Sequence, residues 1–257
     1  IGVVMFRLEE EGVAPINFMW HLVWDFRWDL LKGLLTAINV SIVALILSMV
    51  IGLVFALARM SRFKVFSIFA SIYVNIFRGI PALVSVIWVY FGWSLLFGHN
   101  FTVFQAGVIA LTLLYSSFFC EIFRSALQAI HKGQREAGMA LGLTRGRIFR
   151  SILLPQATKI AIPNIGSMYI GMIKDTSTFA IIGMVEVVRV TQNLNSTYFQ
   201  PFVLYTAAAG LYVIIAFLVD FIFRNVELNF SYPPQGRIAK FLSRKKKKRV
   251  EGLMKST

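Results

Sequence analysis

Nothing in this chain can close an internal disulfide or hold a thiolate metal cluster, because Cys120 is its single cysteine. Charge is scarce too. Asp, Glu, Lys and Arg make up 15% of the 257 residues, where a soluble domain carries roughly 25%. Acids are the scarcer sign, 12 against 26 basic residues. No G-x-x-x-x-G-K-[ST] loop is present to cradle a nucleotide, and no H-E-x-x-H or G-x-S-x-G appears. His21, His99 and His131 fall in separate regions. Enzymes need a nucleophile beside a base, or ligands at metal spacing. With neither in view, no catalytic residue, no metal ligand and no cofactor of its own is expected.

What the chain has instead is apolar length. It is 57% hydrophobic with a mean hydropathy of +0.70, which points to an all-α membrane protein crossing several times. Glu9, Glu10 and Glu11 stand where a signal peptide would be positive, so no cleavable leader is read there. Residues 1–33 form a mixed extracytoplasmic or interfacial segment. Within it Trp20, Trp24 and Trp28 repeat at helical spacing, as in a helix lying at the membrane surface. Leu34–Ala58 is the first span. Residues 65–77 read as an interfacial helix or as the lower part of a kinked span that Ala82–Phe97 completes. Gln105–Phe123 is the third span. Residues 159–188 form the fourth, interrupted at Pro163 and Asn164. Thr191–Gln200 reads as a polar loop, and Pro201–Phe223 is the fifth span. Of the 26 basic residues, 21 fall in 59–78, 124–159 and 224–257. The positive-inside rule puts those segments in the cytoplasm. Five spans then leave the N-terminus outside and the C-terminus inside, with 226–257 as a basic tail. Its run Arg244–Arg249 suits anionic lipid, each cation contributing about 1 kcal/mol. Net charge of +14 is therefore a topology signal, and no nucleic acid is expected as partner.

One charged stretch between the spans, 134–155, must lie in water. Its layout predicts two short helices with a bend. An apolar stripe runs through Ala137, Ala140 and Leu141, Gly142 sits where a helix end wants a left-handed residue, and Ile148, Phe149, Ile152 and Leu153 repeat at helical spacing. Pro155 is expected to stop the second helix. The result is a rigid knob offered to a partner.

Residue order here resembles the EAA loop of ABC importer permeases: Glu136-Ala137-Gly138, three residues, Gly142, nine residues, then Ile152-x-Leu154-Pro155. The departure is Gly138 for Ala, which weakens a helical turn by about 1 kcal/mol. The resemblance implies a five-helix permease domain of the MetI-like type over 34–225 in a bacterial cell membrane. It implies docking of Glu136, Ala137 and Gly142 into a groove of a cytoplasmic ABC ATPase dimer. Arg145, Arg147 and Arg150 then face that ATPase or lipid headgroups. A second permease subunit, like or unlike, and an external solute-binding protein complete the implied assembly, and ATP is bound by the ATPase partner.

Inside the fourth span stands Lys174-Asp175-Thr176-Ser177. Ionisable groups in hydrocarbon face a cavity or each other. These four are candidates for the solute path; the alternative is a structural Lys174–Asp175 salt link. Together with Phe77-Arg78-Gly79-Ile80-Pro81 and Glu121-Ile122-Phe123-Arg124, they resemble the polar amino acid branch of these permeases, the histidine, glutamine and arginine type. A carrier or channel acting alone is the competing reading, drawn from Asp175 and Glu121.

Overall fold

The computed structural model describes residues 17–230, so the expectations for 1–16, including Glu9–Glu11, and for Arg244–Arg249 lie outside the described residues. No strand occurs among the described residues. Apolar segments that must satisfy their own backbone hydrogen bonds in lipid become helices. In order these are α1 (His21–Asp25), α2 (Arg27–Arg59), α3 (Lys64–Gly79), α4 (Ala82–Phe97, with a π-helical turn at Trp88–Gly92), α5 (Val103–Gln128), α6 (Lys132–Ala140), α7 (Arg145–Ile148), α8 (Leu154–Asp175), α9 (Val187–Tyr198) and α10 (Pro201–Phe230). A π-helical turn at Phe149–Leu153 joins α7 to α8, and a 3-10 stretch, Thr176–Ile182, follows α8.

Helices α2, α5 and α10 are each long and apolar enough to cross a membrane. Helices α3 and α4 qualify only as a pair, bent by 105°. Pro81 causes the bend by pushing Ile80 into an extended conformation, φ −92° and ψ 128°. Val65, Phe66, Phe69 and Ile72 are exposed along α3. Helix α8, 22 residues and about 33 Å long, packs against α5 and α10; its polar residues keep it below the apolarity of the straight spans. By length and composition, three helices among the described residues can cross a membrane, or four if the bent pair counts as one span.

The tightest association joins α2 to α5. On α2 the buried residues recur every third or fourth position and most are small: Gly33, Ala37, Ser41, Ala44, Ser48, Gly52 and Ala56. Small residues let backbones approach where lipid supplies no hydrophobic drive between helices. A Cβ at Gly52 would stand 2.8 Å from the Phe119 Cβ and 2.9 Å from the Ser116 carbonyl oxygen. The opposite side of α2 exposes Ile46, Val50 and Val54, as a lipid-facing surface would.

At four places the structure departs from the sequence reading. Pro155 does not stop a helix: the run from Arg145 to Asp175 is helical throughout. The Leu154 N–H reaches back five residues to the Phe149 carbonyl, which widens the chain just ahead of the proline, and Pro155 sits in the first turn of α8 where its missing N–H is not needed. Pro163 does not interrupt α8 either. Side chains satisfy neighbouring carbonyls, Asn164 on Ile160 and Ser167 on Pro163. Residues 191–200 are mostly the helix α9, not a loop, because the Glu186 side chain caps its first turn. Finally, α2 begins at Arg27 rather than near Leu34. Trp20, Trp24 and Trp28 are all exposed, yet Phe26 breaks the chain between α1 and α2. The Arg27 guanidinium lies 4.5 Å and 5.6 Å from the Trp24 and Trp28 rings.

Candidate functional site

The knob is built by α6, a tight turn and α7. Helix α6 closes in a Schellman motif: the Leu143 N–H bonds the Gly138 carbonyl at 3.1 Å and the Gly142 N–H bonds the Met139 carbonyl at 2.9 Å. Gly142 takes φ +71°, as the sequence reading expected. Gly138 is buried. A Cβ there would meet Ile148 Cγ1 at 2.8 Å and Ile152 Cδ1 at 3.2 Å, so the departure from Ala lets α6 close onto the following helix.

Glu136, Ala137, Gly142 and Arg145 are all exposed on the knob, as is Leu141, which is 78% exposed. Ile152 is half-buried under Gly138, and Leu154 and Pro155 belong to the base of α8. The eight residues of the loop pattern therefore divide into a tip and its support.

Lys174 and Asp175 form no ion pair with each other. Lys174 is exposed and borders a cavity of about 470 Å³ with Tyr212 and Asp220. Asp175, half-buried on another side of the helix, accepts a 2.8 Å hydrogen bond from the Tyr115 hydroxyl. Thr176 is fully buried and donates to the Ile173 carbonyl at 2.6 Å. Ser177 is half-buried. The salt link weighed from the sequence is replaced by a bond between spans, α5 to α8.

Toward the knob end, two segments far apart in sequence meet on one carboxylate. Glu121 is ion-paired with Arg59, with Arg124 at 2.7 Å and with Arg78 at 3.5 Å. These come from the ends of α2 and α3 and from α5 itself, so the group ties three elements with charge-assisted bonds. Arg78 also lies 5.7 Å from the Phe118 ring. Sequence reasoning missed Arg59 and Tyr115 as partners, since each lies tens of residues from the acid it serves.

Glu186, near the end of the fourth apolar stretch, was given no role from the sequence. It is completely buried, accepts from the Val188 and Arg189 N–H groups at 2.8 Å each, and accepts from the Tyr212 hydroxyl at 2.8 Å. Gly33 of α2 abuts its backbone: a Cβ there would stand 2.9 Å from the Glu186 carbonyl carbon. Glu is not among the residues that usually cap a helix, so this capping role was not legible in the sequence.

Residues 29–232 match the family model for the binding-protein-dependent transport system inner membrane component. Over 159 residues the chain is 36% identical to the glutamine transport system permease protein GlnP of Escherichia coli (strain K12), covering 62% of this chain and 73% of that one. It is 33% identical over 167 residues to the arginine ABC transporter permease protein ArtQ of Haemophilus influenzae, covering 63% and 76%. Among solved structures, an amino acid ABC transporter crystallised with histidines superposes with a TM-score of 0.77 at 29% identity, over 82% of this chain and 99% of that one. The inward-facing MetNI methionine ABC transporter superposes with a TM-score of 0.70 at 22% identity, over 80% and 98%, a likeness of fold.

Proposed function

The chain belongs to the binding-protein-dependent transport system inner membrane component family, as a multi-pass permease of the bacterial inner membrane and not an enzyme, and from that premise we propose that it forms part of the path of an ATP-driven importer for polar amino acids. The domain limits 34–225 and the cytoplasmic knob 134–155 belong to this reading. So do its partners: a cytoplasmic ATPase dimer that binds the ATP, a second permease subunit and an external solute-binding protein. The relatives' names, glutamine and arginine permeases, support the cargo class.

The observation that carries the coupling role is the tip itself. A rigid turn presents Leu141 and Met139, 78% and 47% exposed, between Glu136 and Arg145. Exposed apolar side chains on a charged, well-ordered turn suit a protein groove. In the path, Asp175 and the Arg78–Glu121 pair supply both signs of charge within the bundle, as an amino acid zwitterion requires. ATP-driven closure of the partner would move the tip and expose the path alternately to each side.

The substitution Gly142→Asp tests the docking role. No atom lies within 4 Å of a Cβ placed there, and Asp visits the left-handed region more readily than most residues, so the fold should survive. Uptake of labelled glutamine, arginine or histidine should fall at least tenfold, with the chain still in the membrane. Wild-type uptake would refute docking through this turn. The competing reading, a carrier acting alone, draws on Asp175 and Glu121; failure to co-purify with any ATPase would favour it.

A further inference from the structure

Two cavities adjoin along α2 at the knob end of the bundle. The first, about 500 Å³, has an apolar floor of Leu57, Met60, Ile148 and Leu153 and a rim of His131, Lys132, Arg135 and Arg145, with no acidic residue in its lining. Among the described residues, the side chains of Lys132, Arg135 and Arg145 have no ion-pair or hydrogen-bond partner. The second, about 320 Å³, shares Leu127 and Phe149 with the first and continues past Leu53 and Val50 to Met49. Its one polar side chain, Thr158, already donates to the Leu154 carbonyl.

The dimensions are those of one leaflet. Met49 on α2 and Met60 at its C-cap are eleven residues apart, about 16 Å along the helix axis, which is half of a hydrocarbon core about 30 Å thick. A cationic rim at the bilayer surface, opening into an apolar furrow one leaflet deep, matches a molecule with an anionic head and a long aliphatic tail. A soluble protein docking from the cytoplasm has no means of filling a furrow at that depth.

We infer that the cleft between α2, α5 and the knob is a binding site for an anionic phospholipid of the inner leaflet, its phosphate held by Arg135 and Arg145 and an acyl chain lying between α2 and α8. The site goes beyond the transport reading and needs only that the knob end face the cytoplasm. It places a lipid directly beneath α6, so occupancy would brace the knob against the spans.

The purified full chain, titrated with phosphatidylglycerol or with phosphatidylcholine of the same acyl chains and read by native mass spectrometry, tests this. Phosphatidylglycerol should be retained about thirty-fold better, the worth of two cations beside an anionic headgroup. Arg135→Gln with Arg145→Gln should erase the preference, and Arg135→Lys with Arg145→Lys should keep most of it. Leu53→Trp, which fills the furrow, should lower retention of both lipids. Equal retention of the two lipids by the wild type overturns the site, as does an undiminished preference in the double Gln variant. Loss of ATPase co-purification in that variant with lipid preference intact would assign the arginines to the protein partner instead.

Discussion

Asp175, Glu121 and Glu186 meet one difficulty in three ways. A carboxylate in a membrane bundle needs partners or a wet cavity. Glu121 has three guanidiniums, and Glu186 has two backbone N–H groups and the Tyr212 hydroxyl. Among the described residues Asp175 has the Tyr115 hydroxyl alone, although an ionised carboxylate offers about four acceptor positions. If Asp175 lines the proposed path, a solute ammonium group would use this free capacity. Asp175→Asn keeps an acceptor for Tyr115 and removes the charge. Folded yield should match the wild type while amino acid uptake drops about tenfold or more; unchanged uptake would take Asp175 out of the path. Asp175 was legible because a polar quartet interrupts apolar sequence. Tyr115 was not, since a tyrosine 60 positions away in another span looks like any core aromatic, and only the fold brings the two together.

At the level of elements, the α2–α5 contact sets the tolerance of the bundle. Gly52 meets backbone atoms of α5 within 3 Å of where a Cβ would be, and backbone cannot rotate away as a side-chain end can. Overpacking a well-fitted core costs about 1–3 kcal/mol. Gly52→Leu should therefore lower the thermal midpoint of the purified chain by several degrees, and Val50→Leu, on the exposed face, should hardly change it. Equal midpoints for the two variants would show that α2 and α5 are free to part. This stripe was readable in the sequence as small residues three and four apart. A search for long apolar runs passes over it, because hydropathy scores composition and ignores which face is narrow. The same limitation hid α9, whose polar sequence scores as loop while its buried Glu186 cap makes it a helix. Pro155 misled for the opposite reason: a π-helical turn next to it removes the clash that a regular helix would suffer.

For the whole molecule, the knob and α9 mark opposite ends. Leu57 of α2 and Met60 just past its end border the knob, whereas Gly33, near the start of α2, abuts Glu186 and Val187. The proposed topology, drawn from the positive-inside rule, has the knob end facing the cytoplasm. Cys120 is fully buried, so single introduced thiols can be read without background. With a membrane-impermeant maleimide on intact cells, Gln192→Cys should label at once and Met139→Cys only after permeabilisation; the reverse pattern would invert the topology. The spacing of Glu136, Gly142 and Pro155 was enough to read the bent knob from sequence, with Gly142 in the left-handed conformation at its turn; the partner it docks into rests on the proposed function. The length of the element the knob joins was not legible, because each proline suggested an ending. From Arg145 to Asp175 the backbone is one helical rod, about 45 Å at 1.5 Å per residue. Helical continuity carries a displacement along the rod, which bends most readily at the π-helical turn and at Pro163. Tilting its cytoplasmic foot by a few degrees would swing Asp175 sideways by ångströms, like the far end of an oar, and the stroke would be felt first where the rod gives way, at the 3-10 stretch beginning with Thr176.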